Sequence, residues 1–470
     1  MDPSWVVLDR SVSLIARTGE KTTRGAGTSE FDTETWDVIE DEEAGVVLDN
    51  AIEEKKPMGV VDWVQDGLVR FVPELTKAPK ISTISLLLPA TPREIRAQLE
   101  SVTVACADKN LLVLFTAPDS PYHASSGRYL VYDAEADTFI APPRIDLEQF
   151  REVFGYVPAI VHLGQGGNFT LAVVVQSHLS SQYSVLLWSP STDQERWVQR
   201  NVNFPSEVLH YSKIDLSFAF EESWACWVDL YFGIVAFSVV SDQLKFLPLP
   251  EPYVREWPPM PRMSPTVHST MGCVDGVIKF LSMDGYDDDD CPKDRINITS
   301  WTLQEKWSND GDLLMANLWA DSTFVAIPDL QQQVPMCPVL SLKEPNMVSF
   351  FFSDIGYVDG HVATKGEYVL SLNMKSKKIQ SWSICPPGRS LEFIPRVIAT
   401  DFCAYKHWSC MDYQVIYSAI ITHYLAAYEP YGFVFYYYGT GQWPLLTPKI
   451  IFLPYGRSDI FKSCGSKICI

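Results

Sequence analysis

At 470 residues, 47% of them apolar, the chain can bury a large core, and disorder throughout is excluded. Its 58 acidic side chains against 37 basic ones leave a formal charge of −21, which repels a phosphate backbone, and no compact Lys/Arg cluster offsets it. No nucleic-acid partner is therefore expected, and no membrane span, because apolar runs such as 231–240 fall well short of the roughly 20 residues that cross a bilayer.

The first predicted strand is "SWVVLDRSVSLI" (4–15). Asp2 and Asp9 interrupt any basic-then-apolar leader, so no secretion is expected. The ten cysteines, too dilute for a disulfide scaffold, are then reduced thiols in a cytoplasmic or nuclear protein. Residues 17–60 are acidic, rich in Thr and Gly and without periodicity, and read as a mobile insertion. Strands follow at 68–73 and 81–89. Two short connecting helices are predicted. One is 91–101, where Thr91, Pro92 and Glu94 make a capping box with proline at the first helical position. The other is 146–155, where Leu147, Phe150 and Phe154 share a face.

From there one pattern recurs: an apolar strand ending in a large side chain, a turn-forming polar pivot, then another large aromatic. The copies are Tyr132-Asp133 with Phe139, Trp188-Ser189 with Trp197, and Phe237-Ser238 with Phe246. Three more are Trp301-Thr302 with Trp307, Leu372-Asn373 with Trp382, and Tyr438-Gly439 with Trp443. Each reads as a β-hairpin. The pivots stand 56, 49, 64, 71 and 66 residues apart, room for about four strands plus loops. Further apolar pairs of runs precede most pivots, as at 102–116, 159–176, 224–238, 272–284 and 346–360, so each unit is a small antiparallel sheet.

A sheet of that size must cover its faces with neighbours, and a closed ring leaves only short protected edges. The predicted fold is all-β: a β-propeller of about six blades (six or seven) with a few short connecting helices. Residues 1–95 would supply N-terminal strands that complete the ring, or a seventh blade, and 96–470 the propeller repeats. A pair of ordinary sandwiches places six regularly spaced hairpins poorly. Within "SWACWVDLYFGIVAFSVVSDQLKFLPLP" (223–250), Trp224 to Asp229 is read as a first strand, Tyr231 to Phe237 as a second, and Leu244 to Leu247 as a third after a turn at Ser241 and Asp242.

Taken together, "SWVVLD", the 81–115 passage, "WVDLYFGIVAFSVVSDQLKFLPLP" and the 344–382 block resemble the plant domain-of-unknown-function family 1618, expanded in grasses. Trp227-Val228-Asp229-Leu230, Gly233-Ile234 and Leu249-Pro250 match that family's recurring block. The resemblance implies a propeller similar to those found behind F-box motifs and carries no established activity. The chain shows no Leu-Pro start with amphipathic helices before residue 90, so an F-box is not expected.

Chemistry-bearing patterns are sparse. Cys403, His407 and Cys410, with Cys385, could offer zinc ligands, but no two-residue cysteine spacing is present, and buried thiols are the expected reading. Asp284 and Asp287 to Asp290 do not alternate as the ligands of a calcium loop do around its turn glycine, and read as a solvated acidic loop. Asp108, Asp229 and Asp275 fall near predicted inner-strand ends, where a propeller glycosidase would carry carboxylates; turn chemistry between first and second strands explains them better. "HLGQGGNF" (162–169) precedes no helix and reads as a hairpin loop. Cys226 has no cation beside it in sequence and is expected to be an inert buried thiol. No catalytic, cofactor-binding or metal-binding residue is assigned. The expected function is a non-catalytic scaffold that binds another protein through loops at one end of the ring; the alternative is a propeller enzyme or lectin acting on carbohydrate at the central pore.

Overall fold

A computed structural model describes residues 4–16, 60–89 and 101–405, less the connecting segments 118–126, 147–149, 154–156, 165–167, 178–181, 191–195, 205–213, 254–263, 329, 331, 359–360 and 386–396. These fall in one of two units of the chain, the one formed by Met1–Ala16 and Ala51–His407. The predicted insertion (up to residue 59), the predicted helix at 91–101 (up to residue 100) and the sixth hairpin around Gly439 lie outside the described residues.

Strand β1 (Val6–Ala16) is followed by helix α1 (Val60–Gln65), β2 (Arg70–Glu74) and β3 (Ile81–Leu88). Blade 1 then runs as β4 (Ser101–Asp108), β5 (Leu111–Ala117), β6 (Arg128–Asp133) and β7 (Thr138–Ile140). Blade 2 comprises β8 (Phe150–Val153), β9 (Ala159–His162), β10 (Phe169–Ser177), β11 (Tyr183–Trp188) and β12 (Val198–Asn201). Blade 3 is β13 (Leu216–Phe220), β14 (Trp224–Asp229), β15 (Gly233–Ser238) and β16 (Leu244–Pro248). Blade 4 is β17 (Ser269–Val274), β18 (Val277–Asp284), β19 (Asn297–Leu303) and β20 (Trp307–Leu314), after which come α2 (Met315–Ala320) and α3 (Ser322–Val325). Blade 5 is β21 (Met336–Leu340), β22 (Met347–Val358), β23 (His361–Asn373) and β24 (Lys378–Ile384), and β25 (Val397–Thr400) ends the series.

Blades 3, 4 and 5 are four-stranded antiparallel meanders, and blade 1 repeats the pattern. The remaining strands make a sixth sheet in the order β25, β1, β3, β2: β1 pairs antiparallel with β25 (Val7 opposite Ala399) and parallel with β3 (Leu14 opposite Leu86). The inner strands β4, β9, β13, β17, β21 and β25 neighbour one another in turn, and β25 returns to β4. Arg10 ties the closing sheet to blade 1, its guanidinium donating to the carbonyls of Val104 (2.7 Å) and Ala105 (3.1 Å) where β4 bulges.

Alternation along the strands explains why the sheets stack. On β14, Ala225 and Trp227 enter the apolar cluster shared with blade 2, while Cys226 and Val228 enter the cluster shared with blade 4. Blades 1 and 2 share a cluster of the same kind, as do blades 4 and 5; the closing sheet shares one with blade 1 and another with blade 5. Six sheets among the described residues thus meet at six apolar interfaces, the condition for a ring without an uncovered face. The fold is a β-propeller.

Three local expectations are corrected. Residues 150–153 form β8 rather than part of a helix: Val153 pairs with Val175 along a free stretch of β10, and Phe150 and Val153 are buried, so sheet pairing overrides the helical spacing. Trp224 to Asp229 is the second strand of its blade, because Leu216–Phe220 lies inside it. The turn predicted at Thr302 comes later. Thr302 is still paired with Ser308 within β19 and β20, and its hydroxyl bonds Asp310 and Lys279. Three of the pivots cap the predicted turns, which join third to fourth strands: Asp133 accepts from the Glu135 N–H (2.9 Å), Ser238 from the Ser241 N–H (3.2 Å) and Asn373 from the Ser376 N–H (2.9 Å). No helix among the described residues is long and apolar enough to cross a membrane.

Candidate functional site at one mouth of the ring

The inner strands deliver their C-terminal ends to one rim. Asp108 ends β4 and Lys109 follows in a left-handed turn position (φ 51°); Glu221 and Glu222 (φ 49° and 52°) turn β13 into β14; Asp275 (φ 48°) and Gly276 turn β17 into β18. Such tight turns usually take Asn or Gly, so non-glycine residues in this conformation store modest strain. The rim is tied together across blades. Asp108 Oδ2 accepts from the His162 N–H at 2.9 Å, the Asp275 N–H donates to the Leu342 carbonyl at 3.0 Å, and Lys343 Nζ lies 3.0 Å from Asp401 Oδ2. Lys109 Nζ lies 3.1 Å from Glu222 Oε1, reaching from blade 1 to blade 3.

Burial pushes the Asp108 carboxyl up to about 6; the His162 N–H and the Lys109 charge oppose this, and the Asp401 and Glu222 charges add to it. His162 is lowered from its ordinary value, first by burial and then by Lys109. Lys343 is raised, chiefly by its hydrogen bond to Asp401. Among the described residues at this mouth, Asp108, Glu221, Glu222, Asp275 and Asp401 stand against Lys109 and Lys343, and both lysines are engaged.

Of the three aspartates singled out in the sequence, Asp108 and Asp275 reach this rim and Asp229 does not. Asp229 ends the second strand of blade 3, where its Oδ1 caps the Tyr231 N–H at 2.9 Å in the turn to the third strand, so its turn joins the second and third strands rather than the first and second. Asp108 also departs from simple turn chemistry, since its acceptor bond crosses to blade 2. Lys109, His162, Glu222, Lys343 and Asp401 were not singled out. Each stands at or just past the end of an inner strand, and only knowledge of which strand is innermost would have found them.

Elsewhere the candidates are occupied structurally. Asp284 accepts from Tyr253 (2.8 Å) and Thr299 (2.7 Å), Asp287 faces His268 Nε2 at 2.8 Å, and Asp288 caps the Asp290 N–H at 3.0 Å. Ser269 Oγ stands 3.0 Å from His268 Nδ1, which gives a Ser, His and Asp sequence of contacts; Ser269 is only 4% exposed, too buried to meet a substrate. Cys403 and Cys385 are buried in different apolar clusters, and His407 and Cys410 lie outside the described residues. Among the described residues no group of three His, Cys, Asp or Glu side chains is placed to hold a metal ion. The Cys226 thiol is fully buried and pushed well up by burial.

The ring of antiparallel blades with a charged mouth defines a β-propeller-class protein. Residues 227–349, from the middle of blade 3 into blade 5, match the family described as "Protein of unknown function (DUF1618)". That match begins at the Trp227-Val228-Asp229-Leu230 block, and the structure explains the block's Gly233. With φ at 149°, a Cβ there would stand 2.2 Å from the Leu247 carbonyl oxygen. No curated protein matches the sequence significantly.

Among solved structures, the chain is similar to the β-propeller domain of the Trilobed protease from Pyrococcus furiosus (6% identity, 58% of this chain and 67% of that one, TM-score 0.29). It is similar also to oligogalacturonate lyase from Vibrio parahaemolyticus (9%, 60% and 64%, 0.29) and to the WD40 domain of SCAP from fission yeast (10%, 63% and 64%, 0.26). The chain thus spans about two thirds or less of each of these.

Proposed function

We propose that this propeller is a non-catalytic platform that binds another protein through the charged mouth. The observation that carries the reading is the Lys109–Glu222 pair, which joins turns two blades apart and leaves both side chains open to solvent at the rim. Loops on a rigid scaffold are where binding residues concentrate. The free thiols at all seven described cysteines suit a cytoplasmic or nuclear setting.

The test is affinity capture from plant extract with the native protein and with the double variant Lys109→Glu/Glu222→Lys, which keeps the internal pair and inverts its polarity. Proteins captured by the first and lost by the second support the reading; identical captures sink it. One observation favours a second reading: Asp108, held near 6 beside further carboxylates, has the character of a general acid acting on carbohydrate. Under that reading Asp108→Asn abolishes turnover or binding on a polysaccharide panel that the native protein acts on.

A further inference from the structure

The apolar face of blade 5 runs off the end of its cover. Strand register puts Phe350 opposite Leu370 and Leu370 opposite Trp382, and Phe352 opposite Tyr368 and Tyr368 opposite Ile384, so these side chains share one face of the sheet. On the inner strands the face is sealed: Phe350, Phe352 and Leu370 are 1% exposed. On β24, the outermost of the described strands of the blade, exposure climbs from Ile379 at 8% to Trp382 at 40% and Ile384 at 63%. Helix α3 lies along the start of that strand, where Thr323 Oγ1 accepts from the Ile379 N–H (3.0 Å), and carries a further exposed apolar side chain, Val325. Val240 is the only other large apolar side chain strongly exposed among the described residues. The turn into β24 carries Lys375, Lys377 and Lys378, all exposed, on a chain whose net charge is −21.

We propose that β24 beyond Ile379, whose N–H is already taken by Thr323, is a docking edge for an extended segment of another protein, which adds antiparallel as a further strand and leaves the edge where helix α3 begins. Its leading apolar side chains would continue the face over Trp382 and Ile384, and its trailing acidic residues would meet the three lysines. Edge strands of this kind recruit peptides through main-chain hydrogen bonds, with side chains at alternate positions giving specificity. Charge complementarity selects the acidic partner, because a basic segment would be repelled at the turn.

The probe is a fluorescein-labelled peptide, Val-Thr-Val-Thr-Val-Ser-Glu-Glu-Asp, titrated against the full chain by fluorescence anisotropy. Binding is expected with a dissociation constant of tens of micromolar, on the order of 10–100 μM. Ile384→Lys and Trp382→Ala should each weaken it about tenfold, and Lys375→Glu/Lys377→Glu/Lys378→Glu should abolish it at low salt. The same peptide with proline at its third and fifth positions should not bind, since proline cannot donate to the ladder. All five replaced residues are at exposed positions, and an unchanged circular dichroism spectrum and melting temperature certify each variant. Three results would overturn the proposal: no binding up to about 1 mM, equal binding of the proline peptide, or sedimentation showing that a second copy of the chain occupies the edge and is released by Ile384→Lys.

Discussion

Lys109 and Glu222 belong to blades that are not adjacent, yet their side chains meet at 3.1 Å over the mouth of the ring. The pair is partly exposed, at 32% and 68%, so solvent screening limits its contribution to folding. Lys109→Glu should cost less than about 1 kcal/mol, and adding Glu222→Lys should restore that loss. A double-mutant cycle in urea melts measures it. A cost of several kcal/mol would mean that the pair holds the ring together rather than decorating its mouth.

Asp108 gives the mouth a pH dependence of definite sign. Its folded value, about 6, exceeds the unfolded carboxylate value, so the folded state holds the proton more tightly and stability falls as pH rises between about 4 and 6. Asp108→Asn, which keeps an acceptor for the His162 N–H, should stabilise the protein at pH 7 by about 1–2 kcal/mol. The gain should vanish near pH 4. Thermal melts of both proteins across that range check this, and a variant equally or less stable at pH 7 contradicts it.

Two glycines at hairpin turns should respond differently to the same substitution. Gly233→Ala drives a Cβ to 2.2 Å from a carbonyl oxygen in a left-handed conformation and should cost about 3 kcal/mol or more. Gly276→Ala, also left-handed (φ 76°) but in open space, should cost about 1 kcal/mol. Equal losses in denaturant melts would remove the steric explanation of the Gly-Ile pair in the matched block.

Neighbouring blades are stitched by a repeated bond. Trp197 Nε1 donates to the Pro143 carbonyl (2.7 Å) and Trp307 Nε1 to the Pro248 carbonyl (2.8 Å), each reaching the chain at or just past the outer strand of the blade before. Trp307→Phe keeps most of the ring and removes the donor, so it should destabilise by about 1 kcal/mol. Hydrogen exchange should show faster opening of β16 and β20 before the rest of the molecule.

Thiol accessibility separates the cysteines. Cys226 is 0% exposed with its thiol pushed well up, while Cys291 is partly open to solvent. A maleimide at neutral pH, read by peptide mass spectrometry, should modify Cys291 within minutes and leave Cys226 intact until the protein is unfolded. Rapid modification of Cys226 would place a reactive group inside blade 3.

The repeat was legible because its signal is local. A pivot such as Asp133 or Asn373 caps backbone N–H groups two or three residues on, and chemistry of that range leaves a mark in sequence. Alternation in "WACWVD" likewise announced two buried faces, although nothing in those residues said that Leu216–Phe220 would lie inside them. The short strand β8 was missed because Leu147, Phe150 and Phe154 carry helical spacing; the free stretch of β10 decided, and it lies about 25 residues downstream. The mouth was half visible. Asp108 and Asp275 stood out as turn aspartates, whereas His162, Lys343 and Asp401 gained their relationship to them only when the ring brought six separated turns to one rim.

Pairing of Val6–Asp9 with Val397–Thr400 has a consequence for how the protein is made. The ribosome releases β1 almost 400 residues before the strand that must lie beside it, and blades 1 to 5 can stack while the inner edge of the closing sheet stays unsatisfied. Until β25 emerges, that edge offers unpaired backbone and the side chains of Val6 and Leu8 to any chaperone or sister chain nearby. Quality control during synthesis would therefore watch β1, and a lesion near residue 397 would be felt first at residue 6.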